Sequence, residues 1–214
     1  MFSAFDVFNG LGVLGLFVFA ASGALTALRN DMDLFGVALI GCVTGVGGGT
    51  IRDVLLGQFP VWWIADPLAI PVCLAGAAAA TLAQPLFASR LKALIWADAV
   101  GLSVFAVLGA EAARAAGAPT GVAIFMGAVT ATFGGVVRDV LLNEPPLLLK
   151  QDIYATAALF GAAVYMALLA IGWERDIAAA IAVVATFTAR GAAILFNLPS
   201  PKFARPRRDE LGDI

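Results

Sequence analysis

A gapless shift of 86 residues lays Gly48-Gly49-Thr50-Ile51-Arg52-Asp53-Val54-Leu55-Leu56 on Gly134-Gly135-Val136-Val137-Arg138-Asp139-Val140-Leu141-Leu142, and seven of these nine pairs are identical. The same register places Phe19 on Phe105, Gly23 on Gly109, Gly41 on Gly127, Thr44 on Thr130, Pro60 on Pro146 and Asp66 on Asp152. One segment is therefore used twice, near 7–85 and near 93–172. Each copy contains three apolar stretches of ~20 residues, the length that carries a helix across a ~30 Å hydrocarbon core. Three crossings leave the chain on the far side, so the second copy enters the bilayer from the opposite face. The expected architecture is an inverted repeat with a pseudo-two-fold axis in the membrane plane.

Composition supports that solvent. Hydrophobic residues make up 61% and charged residues 13%, about half the charged share of a soluble domain, and the mean hydropathy is +0.94. Polar and Pro/Gly punctuation divides the chain into apolar segments near 7–28, 34–56, 67–85, 93–116, 120–142, 153–172 and 177–197. The predicted fold is an all-α integral membrane domain over 1–198, with two inverted three-helix repeats and a seventh helix near 177–197, followed by a short basic and acidic tail over 199–214. Short connections suit up-and-down neighbours. Met1 to Asn9 lack the basic n-region of a cleaved signal peptide, and the first span has a counterpart in the fourth, so it is expected to be retained. A net charge of -2 gives no electrostatic footprint for nucleic acid.

The basic residues predict the orientation. Outside the spans, Arg29, Arg90, Lys92, Lys150, Lys202, Arg205, Arg207 and Arg208 fall on the side of the C-terminus, and only Arg114 and Arg175 on the other. By the positive-inside rule the N-terminus is expected outside and the C-terminus on the cytoplasmic side. The basic run in the tail is expected to set topology and contact anionic lipids. Trp62, Trp63, Trp96 and Trp173 suit interfacial anchoring or packing within the bundle.

Two glycine clusters interrupt equivalent spans: Gly47, Gly48 and Gly49 before Thr50 in the second, and Gly134 and Gly135 after Phe133 in the fifth. Glycines in mid-helix weaken it by roughly 1 kcal/mol each. Paired interruptions in inverted halves predict discontinuous helices meeting at the midplane, where freed carbonyls and the hydroxyls of Thr44, Thr50, Thr130 and Thr132 would line an ion or substrate path. The alternative is that small residues let helices pack closely. Each cluster is followed by an Arg-Asp pair, and four charges at this depth must face protein or water. Neighbouring helical positions point about 100° apart, so reciprocal pairing is expected, Arg52 with Asp139 and Arg138 with Asp53. Such pairs either shape a path or hold the two halves together. Asp98 aligns with Gly12, and Arg190 has no counterpart in the repeat; both line a pathway or make ordinary interhelical contacts. Glu111 is expected on a solvated face near the outer mouth. Cys42 and Cys73 read as small buried hydrophobes, without metal-ligand spacing. With no histidine and no nucleophile beside a base, the chain offers no enzyme chemistry and implies no cofactor or metal.

The combination of Gly-Gly-Gly-Thr-Ile-Arg-Asp at 47–53, Phe-Gly-Gly-Val-Val-Arg-Asp at 133–139 and an inverted duplication resembles the bacterial trimeric intracellular cation (TRIC) channel family, also labelled glycine-transporter-type. The resemblance extends to about Leu198. It implies a homotrimer whose protomers each enclose a pore around kinked second and fifth helices and conduct monovalent cations, chiefly potassium. Animal members carry Lys-Glu-Val where this chain has Arg52-Asp53-Val54, so a planar guanidinium replaces a compact ammonium here. The competing expectation is a secondary transporter for a small solute such as glycine, because inverted repeats are also transporter architecture.

Overall fold

The computed structural model describes residues 7–86, 89–150 and 153–196. The tail from Lys202 to Arg208 and Asp152 lie outside the described residues. The chain forms α1 (Val7–Arg29), α2 (Leu34–Leu56), the short α3 (Trp62–Ala65), α4 (Ala69–Ala83) with a 3-10 turn over Gln84–Leu86, α5 (Arg90–Ala115), α6 (Thr120–Leu141), the short α7 (Leu147–Lys150), α8 (Ala155–Ala170) and α9 (Arg175–Phe196). The long helices fall on the seven apolar segments of the sequence. Six are long and apolar enough to cross a membrane, while α8 is shorter.

Local chemistry sets the helix ends. Asp33 caps α2 by accepting from the Gly36 amide at 2.8 Å, and the Ser89 hydroxyl accepts from the Lys92 amide at the start of α5. Two turns are duplicated with the sequence. Asp31 (φ 53°) and Gly117 (φ 81°) follow α1 and α5, and Gly57 (φ 66°) and Asn143 (φ 54°) follow α2 and α6. Each pair is 86 residues apart, and all four adopt the left-handed conformation that Gly, Asn and Asp tolerate best.

The interior is built from small side chains. Ala20, Ala24, Ala99, Ala106, Ala110, Ala131, Ala158, Ala162 and Ala182 are completely buried, while Leu34, Phe35, Leu82, Leu195 and Phe196 face outward. Small residues inside and large apolar ones outside is the arrangement expected where helices pack by van der Waals contact and the surroundings are hydrocarbon. Phe19 of α1 and Phe105 of α5 meet with ring centroids 5.1 Å apart. They are equivalent under the shift, so the relation between the halves passes between them.

The expected breaks are absent. The helix α2 runs continuously through Gly47, Gly48 and Gly49, and α6 through Gly134 and Gly135. Among the described residues the positive-φ glycines are Gly57, Gly117 and Gly172, all outside these stretches. The clusters serve close packing instead, the alternative that small residues in membrane helices always carry.

Candidate functional site

The two glycine-rich helices cross each other. A Cβ on Gly48 would overlap the Thr130 carbonyl oxygen, and one on Gly134 would overlap the Thr44 carbonyl oxygen. Contacts of 48 with 130 and 44 with 134 mean that α2 and α6 run antiparallel here, backbone against backbone. Gly47 faces Gly134 at the same crossing, and a Cβ on Gly49 would strike the indole of Trp62. Phe133 is half-buried and packs into the neighbouring core. The hydroxyls of Thr44, Thr50, Thr130 and Thr132 each donate to the carbonyl four residues earlier, at 2.6–2.8 Å. Thr50 also accepts from the Trp63 indole N–H at 2.9 Å. Helix carbonyls and threonine donors at the crossing are thus already engaged within the bundle.

The reciprocal pairing is also corrected. Arg52 pairs with its own neighbour, Nη2 lying 2.7 Å from Asp53 Oδ1, and Arg138 Nε donates to Asp139 Oδ1 at 2.8 Å. Arg52 does not reach Asp139, nor Arg138 Asp53, because an antiparallel crossing at Gly48 and Gly134 sends positions 52 and 138 away from each other. Each lies about 6 Å along its helix from the crossing, on opposite sides. The long arginine folds back over the adjacent carboxylate, and the second oxygen of that carboxylate docks the short helix that follows. Asp53 Oδ2 accepts from the Trp62 amide at 2.8 Å, and Asp139 Oδ2 from the Leu147 amide at 2.9 Å.

Beyond this shared pattern the two sides diverge. Arg138 is fully buried, and its Nη1 donates to Ser22 Oγ at 3.0 Å and Asp98 Oδ1 at 3.1 Å. Arg190 of α9 approaches from behind, with Nη1 on the Ile153 carbonyl at 3.0 Å and its guanidinium 5.0 Å from the Tyr154 ring centroid. Among the described residues, Asp98 Oδ2, Arg138 Nη2, Tyr154 Oη and Arg190 Nε are buried without a hydrogen-bond partner. Three of these side chains converge beside Gly135, where a Cβ would come within 3.3 Å of Tyr154 Oη, 3.4 Å of Arg138 Nη2 and 3.5 Å of Asp98 Oδ1. The sequence reading singled out Asp98 and Arg190 but missed Ser22 and Tyr154. Their signal was positional: Ser22 aligns with Leu108 and Tyr154 with Leu68.

Two cavities open at opposite ends of α1. The larger, about 590 Å³, is lined by Phe8, Asn9, Gly49, Arg52, Trp62 and Asp66 among others. The smaller, about 200 Å³, is lined by Arg29, Leu94, Asp139, Glu144 and Leu147. The glycine crossing lies between them. At the mouth of the smaller cavity Glu144 Oε1 accepts from Asn30 Nδ2 at 2.9 Å, tying the loop after α6 to the end of α1.

Glu111 does not sit on a solvated face. It is 7% exposed and accepts from Arg114 Nε at 2.6 Å, Arg175 Nε at 2.9 Å and Tyr165 Oη at 2.9 Å. Arg175 also stacks 3.8 Å over the Phe8 ring. These contacts join α1, α5, α8 and α9. The clamp was hidden because Tyr165 and Arg175 are distant in sequence from Glu111. Cys73 is buried in the core and Cys42 partly so. Trp96 tilts against Phe187 at 6.0 Å.

Apolar helices of membrane-crossing length around buried ion pairs and facing cavities define a polytopic α-helical membrane protein. The family model described as Glycine transporter matches it twice, over 10–85 and 95–170, once in each half. The chain belongs to that family, and within it to the bacterial TRIC proteins. It is 47% identical to the TRIC trimeric intracellular cation channel orthologue from Rhodobacter sphaeroides, covering 90% of this chain and all of that one with a TM-score of 0.86. A second solved structure, described under conductance through TRIC cation channels, is 33% identical with a TM-score of 0.81, over 95% of this chain and all of that one. The UPF0126 inner membrane protein YadS of Escherichia coli K12 is 39% identical over 91% of this chain and 95% of its own length. A UPF0126 membrane protein of Vibrio cholerae is also 39% identical, over 91% of this chain and 82% of its own.

Proposed function

We propose that the protein is a monovalent cation channel that prefers potassium, with one conduction path inside each protomer. The observation that carries this reading is the pair of cavities at opposite ends of α1, separated by the glycine crossing of α2 and α6. In this reading all seven long helices span a bacterial inner membrane, the halves are inverted repeats, the N-terminus is outside and the C-terminus cytoplasmic, and three copies form a homotrimer. The similarity to structures described as trimeric cation channels supports it. Thr44, Thr50, Thr130 and Thr132 with the glycines 47, 48, 49, 134 and 135 and Phe133 form the constriction. Asp53 and Asp139 attract cations to its two sides, while Arg52, Arg138, Asp98 and Arg190 set the local field. We assign no enzymatic activity, cofactor or nucleic-acid partner; the partners are monovalent cations and membrane lipids.

The family description as a glycine transporter favours a second reading, a carrier for a small solute. Purified protein in a planar bilayer under potassium, sodium and chloride gradients separates the two. Unitary currents reversing near the potassium potential are expected. Saturable, counter-flow-sensitive uptake without unitary events would replace the channel with the carrier.

A further inference from the structure

The internal duplication supplies a template for what is missing around Arg52. At Arg138, Nη1 is occupied by the Asp98 carboxylate and the Ser22 hydroxyl. Subtracting and adding the 86-residue shift puts Gly12 where Asp98 stands and Leu108 where Ser22 stands. Both line the 590 Å³ cavity beside Arg52. Gly12 and Leu108 are neighbours, a Cβ on Gly12 lying 4.0 Å from Leu108 Cδ1. Among the described residues Arg52 bonds only Asp53, through Nε and Nη2 onto a single oxygen. Its Nη1 edge therefore faces a space that, on the other side of the molecule, a second carboxylate fills.

We infer that this cavity binds the carboxylate of a small monoanion with an apolar body, held by Arg52 in the position that Asp98 takes at Arg138. A guanidinium recognises a carboxylate through paired N–H donors, and the bond strengthens away from water. The Arg52 side chain is only 10% exposed. Phe8, Val13, Leu16, Leu68, Phe105 and Leu108 form an apolar wall for the remainder of the ligand. A volume near 590 Å³ suits a small organic molecule. Asp66 lies exposed at the cavity mouth with its Oδ1 engaged by the Leu68 amide at 2.9 Å. Its negative charge disfavours dianions at the entrance, and among the described residues it makes no ion pair with Arg52. The ligand enters from the aqueous side, where Asn9 and Asp66 line the opening.

Binding rests on the cavity alone, and only a consequence for current rests on the channel reading, so the test measures binding. Hexanoate and hexanamide are titrated by saturation-transfer NMR onto the purified full chain in detergent, with protein-free micelles as blank. The same titration is made on Gly12→Asp, which supplies the missing acid from within. Hexanoate is expected to bind at least about tenfold tighter than hexanamide, the worth of a charge-assisted bond, and to lose about tenfold or more in Gly12→Asp. Equal binding of acid and amide, undiminished binding to Gly12→Asp, or no hexanoate binding to the unaltered chain each overturns the inference. Should Gly12→Asp fail to fold, the comparison of acid with amide on the unaltered chain decides alone. A protein that binds hexanoate but passes no current refutes the channel and leaves this site standing.

Discussion

Arg52 and Arg138 occupy equivalent places, yet Arg52, whose side chain keeps 10% exposure, is balanced by one carboxylate and the fully buried Arg138 by two. Burying a guanidinium costs several kcal/mol unless its donors and charge are met. Asp53 and Asp139 provide the common part on both sides, and their outer oxygens hold α3 and α7 in place. Asp98 provides the extra part at Arg138, which has no exposure at all. Asp98→Asn should therefore destabilise the fold by about 3 kcal/mol, because it leaves two arginines, Arg138 and Arg190, facing one acid in a dry site. The thermal unfolding midpoint in detergent reads this, and an unchanged midpoint would show Asp98 to be dispensable. The importance of Asp98 was visible in the sequence as a broken symmetry, an acid opposite Gly12. Its partner was not, since Asp98 and Arg138 are separated by 40 residues and meet only where α5 packs on α6.

Element ends and lengths follow from local chemistry, and were therefore legible: apolar segments bounded by Asp33, Gly57 and Gly117 became helices that start or stop beside those residues. The interior of α2 and α6 was misjudged for a physical reason. Glycine lowers helix stability locally, but hydrocarbon offers no alternative partner for a broken backbone, so the ladder persists and the glycines become contact surface. Substitution separates these readings by sign. Alanine is the better helix former by ~1 kcal/mol, so Gly121→Ala, where nothing lies within 4 Å of the added carbon, should be neutral or slightly stabilising. Gly48→Ala must instead push α6 away at the Thr130 carbonyl, and a net loss of about 1–3 kcal/mol is expected from such overpacking. Equal midpoints for these two variants would remove the crossing from the list of stabilising contacts. The reciprocal ion pairs failed on the same geometry. Symmetry brings equivalent glycines together but carries everything beyond them to opposite sides.

At the scale of the molecule, the duplication was the most legible feature, and its meaning for orientation can be checked directly. A green fluorescent protein fused after Ile214 should fluoresce in a bacterial host, since the reporter matures only on the cytoplasmic side; a dark fusion beside a well-expressed chain would reverse the proposed topology. The larger asymmetries were less legible, because they arise from long-range encounters. The clamp of Arg114, Tyr165 and Arg175 on Glu111 draws the seventh helix α9 onto the second half and onto Phe8 of the first. The third long helix of the second half has a further consequence. The helix α8 has 16 residues, so it reaches only about 24 Å along its axis, whereas α4 with its 3-10 turn is long enough to cross. Once α8 crosses the bilayer as proposed, the lipid beside it faces a hydrophobic mismatch of roughly 6 Å against a ~30 Å core, at a fraction of a kcal/mol per Å. The membrane will thin along that flank, and the protein will favour short-chain lipids as its immediate neighbours there.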